Sequence, residues 1–99
     1  MNNIDTWQSG ANWYRKWSNG WIEQGGTNQT KARSNNTYNL HVPFSDTNYT
    51  LIITANYLES GDDVILKGRK DSSSLFSVNA RTPSETYYSR SFCWYACGF

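Results

Sequence analysis

The sequence predicts an all-β fold, an antiparallel β-sandwich of about seven short strands. Three observations predict it. First, Asn19-Gly20 lies between two aromatic runs, Trp13-Tyr14-Arg15-Lys16-Trp17-Ser18 and Trp21-Ile22-Glu23-Gln24-Gly25-Gly26. An Asn-Gly dipeptide in that setting is the strongest short-range hairpin signal. Second, short segments alternate apolar and polar residues with period two, the mark of a half-buried strand. Third, turn residues punctuate the 99-residue chain at short intervals, and no segment carries a helical period.

The elements follow in order. Residues 1–12 are polar, with Trp7 and a Ser9-Gly10 break, and read as a connector from an upstream segment into a β-rich domain, 13–99. The hairpin strands run at about 13–18 and 21–26. A two-residue type I′ turn at Asn19-Gly20 needs positive φ at both and sets Trp17 opposite Ile22, Lys16 opposite Glu23 and Arg15 opposite Gln24. Lys16 and Glu23 then form an opposite-charge cross-strand pair. Arg15 and Gln24 share a face with Trp13, Trp17 and Ile22, where a charged group must be paired or exposed. Residues 27–36 are a polar loop. Tyr38, Leu40 and Val42 line one face of a strand over 37–42, which Pro43 ends because it cannot donate to a ladder. Tyr49, Leu51, Ile53, Ala55 and Tyr57 line one face of the next, 49–57. Glu59-Ser60-Gly61-Asp62 is a turn. Strands at 64–69 and 75–80 are joined by Lys70-Asp71-Ser72-Ser73. A polar loop over 82–91 leads to a last strand, 92–98, which ties the C-terminus into the fold.

Composition narrows the function. Hydrophobic residues are 37% and aromatics 16%, so Trp, Tyr and Phe must build the core. Nine Lys and Arg balance eight Asp and Glu, and no basic stripe offers a nucleic-acid footprint. No apolar run approaches a membrane span, and the N-terminus lacks the regions of a signal peptide. The mix of aromatic and polar uncharged residues suits extracellular β-proteins better than cytosolic enzymes. Cys93 and Cys97 stand on one strand, roughly 13 Å apart at about 3.3 Å per residue. A disulfide needs Cα atoms within about 7 Å, so the two are expected to stay free within the chain. With no second ligand pair for zinc, no metal or cofactor is expected. His41 lies on the polar face of its strand, without a partner at a catalytic spacing, and reads as solvent-facing or hydrogen-bonded. No catalytic residue is assigned. Asn-x-Thr sequons at Asn28, Asn35 and Asn48 arise from the richness in Asn and Thr.

Three segments carry a family resemblance. Trp13-Tyr14-Arg15 with Ser18-Asn19-Gly20-Trp21-Ile22-Glu23-Gln24-Gly25-Gly26 resembles the hallmark of a domain at the distal C-terminus of bacteriophage tail fibres. Val42-Pro43-Phe44 with Asp46-Thr47-Asn48-Tyr49-Thr50 resembles the family's apolar-Pro-Phe and Asp-Thr-Asn-Tyr-Thr segment. Trp94-Tyr95-Ala96-Cys97-Gly98-Phe99 resembles its Trp-x-Ala-x-Gly-aromatic terminus. The likeness covers about residues 9–99, although 57–91 matches in pattern only. Asn19 stands where many relatives have Asp, a change neutral for the turn. The resemblance implies a fibre-tip domain, usually a homotrimer, that attaches to a host surface and has no catalytic residue. It also implies residence on the virion at the fibre tip, action outside the cell and synthesis in the host cytoplasm.

Function concentrates on loops held by a rigid scaffold. Tyr87, Tyr88 and Arg90, and with them Tyr57, Glu59, Asp62 and Asp63, are therefore the candidate receptor contacts. Aromatic rings with polar groups suit a bacterial surface glycan, or an outer-surface protein. Trp13, Arg15, Trp17, Trp21, Gln24, Trp94 and Phe99 are the candidates for core or trimer-interface packing. The alternatives are a structural trimerisation or capping domain and a stand-alone carbohydrate-binding module.

Overall fold

Aromatic and β-branched residues interleaved with Ser, Thr and Asn fit a pleated, half-buried surface. Strands are the only regular secondary structure among the described residues, 3–55, 64–84 and 86–99, of this computed structural model. They are β1 (Asn3–Ser9), β2 (Asn12–Trp17), β3 (Ile22–Gln29), β4 (Thr37–Asn39), β5 (Thr50–Ala55), β6 (Ile65–Lys70), β7 (Leu75–Arg81) and β8 (Ser91–Gly98). A five-stranded sheet runs β1-β2-β3-β8-β5 and a three-stranded sheet runs β4-β7-β6. Every pairing is antiparallel. The segment expected to be a connector contributes β1, which turns into β2 through Gly10 at φ +60°. The turn expected at Glu59 to Asp62 lies outside the described residues.

The hairpin forms where expected but in a different register. Lys16 pairs with Ile22, Arg15 with Glu23, Tyr14 with Gln24 and Trp13 with Gly25. The cause is the loop. Gly20 N–H donates to the Trp17 carbonyl at 3.0 Å, and Trp17 N–H donates to the Trp21 carbonyl at 2.9 Å. Those bonds enclose three residues, Ser18 to Gly20, in the pattern of a type I turn followed by a left-handed residue. Gly20 fills that last position, at φ +93°. Asn19 Oδ1 accepts from Trp21 N–H at 3.0 Å. One extra loop residue reverses the facing of the whole second strand. Arg15, not Lys16, therefore meets Glu23, at 4.0 Å. Ile22 and Gln24 turn inward, away from Trp13, Arg15 and Trp17.

The core lies between the two sheets. Phe76, Val78 and Ala80 of β7 meet Phe92, Trp94 and Ala96 of β8, and Ile22, Leu40, Phe44 and Tyr49 close the margin. Gln24 is fully buried among them. Its Nε2 donates to the Val42 carbonyl at 2.7 Å, and its Oε1 accepts from His41 N–H at 2.8 Å and Val42 N–H at 3.1 Å. The amide thus satisfies itself and holds the chain at 41–42. That capture also explains why β4 ends at Asn39 instead of reaching Val42: the backbone beyond is bonded to the other sheet. The alternation expected in β5 holds, with Leu51, Ile53 and Ala55 turned inward from the exposed Thr50, Ile52 and Thr54.

Candidate functional site

Three connections leave one end of the sandwich. β3 ends and β8 begins there, with Gln29 opposite Ser91. β5 ends there, with Ala55 opposite Phe92, and β6 begins opposite the end of β7, with Ile65 opposite Arg81. The connection over 82–90 bridges the two sheets. Thr82 N–H donates to the Thr86 carbonyl, folding 86–88 back along β7, where Tyr87 pairs with Arg81 and Tyr88 N–H donates to the Ala80 carbonyl. On the other flank the buried Thr30 fixes the same loop. Its N–H donates to the Arg90 carbonyl, its Oγ1 donates to the Tyr88 carbonyl, and Arg90 N–H donates back to that Oγ1, all at 2.8–2.9 Å. Gln29 Nε2 adds a 2.7 Å bond to Ser89 Oγ.

This anchoring separates the loop candidates. Tyr87, opposite Arg81, is half-buried on the outer side of the small sheet. Tyr88 turns the other way, at the rim, with the Arg90 guanidinium 5.0 Å from its ring centre. Tyr88 and Arg90 therefore form one cation–π pair, and Tyr87 belongs to a different surface. Tyr57, Glu59, Asp62 and Asp63 lie outside the described residues.

The packing candidates also divide. Gln24 and Trp94 are in this domain's own core, and Trp94 Nε1 donates to Asn28 Oδ1 at 3.1 Å. Trp13, Arg15, Trp17, Trp21 and Phe99 remain on the outer face of the large sheet, joined there by Ile52 and Tyr95. Trp13 and Tyr95 rings lie 6.0 Å apart, and Trp21 meets Phe99 edge-on at 5.1 Å. Arg15 stacks 5.4 Å over Trp13. Burial, with the nearby Cys97 and Glu23, pushes the Tyr95 hydroxyl up from the ordinary tyrosine value. Neither Cys93 nor Cys97 is in a disulfide. His41 is hydrogen-bonded: its Nε2 lies 3.0 Å from the Gly25 carbonyl, and its ring sits between those of Trp7 and Trp94.

The residue 16–99 stretch that builds these surfaces matches the family described as "Putative tail fiber protein gp53-like, C-terminal". The chain belongs to that family. A comparison of this tail-fibre domain with curated proteins gives no match. Among solved structures it is similar to an N-truncated R2-type pyocin tail fiber, with TM-score 0.67 and 17% identity over 99% of this chain and 39% of that one. It is similar to the R2 pyocin fiber of P. aeruginosa, with TM-score 0.66 and 17% identity over 97% of this chain and 26% of that one. An N-truncated R1-type pyocin tail fiber gives 0.64 at 11% identity, over 97% and 87% of the two chains. These likenesses concern the fold, and the tail-fibre domain spans well under half of the two R2 chains.

The three signature segments of the tail-fibre domain converge inside it. Gln24 bonds the backbone at Val42, and Phe44 stacks on Tyr49 at 4.5 Å. Gly98 packs beneath both: a Cβ there would stand 2.9 Å from Tyr49 Cβ. Ser45 donates twice to the Phe99 carbonyl, at 2.8 Å each. The signature residues hold the scaffold, and other surfaces lie outside them. One such surface escaped the sequence reading, a polar cavity on the small sheet lined in part by Lys67, Arg69, Ser77 and Asn79. Its signal was the period-two spacing of polar residues in two neighbouring strands.

Proposed function

We propose that this domain is the receptor-binding tip of a tail fibre, acting as a homotrimer that attaches a virion to a bacterial surface glycan or outer-surface protein. It works outside the cell after synthesis in the host cytoplasm, with no catalytic step, no cofactor, no nucleic-acid partner and no membrane insertion. The observation that carries the reading is the gathering of three connections at one end of the sandwich. Tyr88 and Arg90 stand there on a loop bonded to both sheets. A rigid scaffold presenting amphipathic loop residues is the arrangement that recognition uses.

A capping domain without receptor contact is favoured by a different observation, the aromatic outer face of the large sheet. The experiment compares labelled parent with a Tyr87→Ala/Tyr88→Ala variant of unchanged fold on host cells. The receptor reading expects the parent to bind and the variant to lose most of that binding. Equal binding rejects these loop residues, and no binding by the parent favours the cap.

A further inference from the structure

The outer face of the small sheet is turned away from the core, yet it is no ordinary solvated face. Lys67 lies opposite Asn79, Arg69 opposite Ser77 and Ile65 opposite Arg81, so these side chains share one side. Lys67, Gly68, Arg69, Ser77 and Asn79, with Ser34 and Asn35, line a cavity of about 330 Å³. That volume is at the lower end of small-ligand sites, roughly 300–1,000 Å³.

Two features define what it fits. The first is charge. Lys67 and Arg69 are cations, and Asp71 is the one described carboxylate in an ion pair with either of them. Asp71 is already engaged, accepting from Ser77 Oγ and pairing with Arg69 Nε at 2.7 Å. That ion pair leaves the two Nη groups of Arg69 for other acceptors, and no described carboxylate pairs with Lys67. The second is Asn79. Its Nδ2 donates to the Ser34 carbonyl at 3.1 Å, which fixes the amide's orientation, because a flip would set two acceptors face to face. Its Oδ1 is then withdrawn from water with no donor among the described residues. A simple anion brings only acceptors and leaves that oxygen unmet. A ligand that answers both features carries a negative charge and hydroxyl donors together.

We propose that this cavity binds an acidic saccharide, with its carboxylate or phosphate at Lys67 and Arg69 and a ring hydroxyl donating to Asn79 Oδ1. Lys67 is exposed and its stem is flexible, so it can swing aside to admit the ring. Tyr87, paired with Arg81, lies further along the same face. The inference rests on the reading of the domain as a glycan-facing tip and names the class of glycan.

The test is chemical-shift mapping on the isotope-labelled protein, with glucuronic acid, glucose 6-phosphate, glucose and inorganic phosphate as probes. Both acidic sugars should move the amide signals of Lys67, Gly68, Ser77 and Asn79. Glucose and inorganic phosphate should bind about tenfold more weakly, the loss expected when one charge-assisted or one neutral contact is missing. Lys67→Glu changes an exposed side chain, keeps the fold, and should weaken both acidic sugars by about tenfold or more. Asn79→Ala should erase the preference for glucose 6-phosphate over inorganic phosphate. No shifts at these residues, equal binding of inorganic phosphate by the parent, or an unaffected Lys67→Glu variant would each overturn the proposal. Binding of the parent to host cells is read separately. Cell binding with a failed titration removes the cavity and keeps the tip, whereas a successful titration without cell binding does the reverse.

Discussion

Gly20 shows how far a single residue sets the fold here. It closes the β2–β3 loop at φ +93°, with Phe99 Cδ1 3.8 Å from where a Cβ would stand. Space is therefore available, and the obstacle to a side chain is the backbone conformation. A β-branched residue is an outlier at positive φ, so Gly20→Val should cost about 1–3 kcal/mol. In a domain of this size that lowers the melting temperature by roughly 4–8 °C per kcal/mol, which a thermal melt reads directly. An unchanged melt would remove the left-handed turn. Asp71 acts at the same scale through charge. The Ser77 hydroxyl and the Arg69 guanidinium hold its carboxyl below the ordinary aspartate range. A carboxylate with a depressed folded value contributes stability above its unfolded pKa of about 3.9, and loses it as pH falls through the folded value. Parent and Asp71→Asn should therefore differ in stability at neutral pH, with the difference shrinking as pH falls from about 4 through the lower folded value. A difference that persists unchanged into acid would show that the charge is not what Asn lacks.

At the scale of elements, the hairpin was legible from its Asn-Gly pair, but its register was not. Two- and three-residue loops both use such a pair, and they differ in whether the strands close at Ser18 and Trp21 or at Trp17 and Trp21. The two-residue turn sets Lys16 opposite Glu23 and Arg15 opposite Gln24, whereas the three-residue loop sets Arg15 opposite Glu23. The alternating strands β5, β7 and β8 were readable because one face is buried and period two leaves little freedom. β4 was read too long because nothing local reveals that Gln24, far away in sequence, takes the backbone of His41 and Val42. β1 was missed because its polar composition gives no alternation, and its partner supplies the order. The same reasoning bears on the site. Loops could be found from their composition, but the opposite facings of Tyr87 and Tyr88 depend on how 86–88 pairs with β7. A double-mutant cycle tests the hairpin register. Arg15 and Glu23 are 4.0 Å apart with the arginine largely exposed, so their coupling should be about 0.2–1 kcal/mol and fall with salt. Lys16 and Glu23 face opposite sides of the sheet and should show none. Coupling at Lys16 alone would restore the two-residue turn.

For the whole molecule, the deciding surface is the outer face of the large sheet. Trp13, Trp17, Trp21, Tyr95 and Phe99 crowd it, with Ile52 52% and Phe99 56% exposed. Trp13, Trp17, Trp21 and Tyr95 are half-buried there and still show apolar edges to water, and each such ring can bury about 150–250 Å². Trp17 Nε1 is buried within the domain itself, without an acceptor among the described residues. The proposed homotrimer would cover this face. In the proposed receptor-binding role the consequence would be avidity, since three weak sites on one particle can exceed a single site by about 10²–10⁴. Tyr95→Arg adds a charge to the outer face without entering the core. Light scattering at micromolar concentration should give a trimer for the parent and a monomer for this variant, with the melt still cooperative. The monomer should then lose cell binding by a similar factor, about 10²–10⁴, although Tyr88 and Arg90 are untouched. A monomeric parent would discard the trimer and leave the stand-alone carbohydrate-binding module. A monomeric variant that still binds cells like the parent would instead show that one copy suffices.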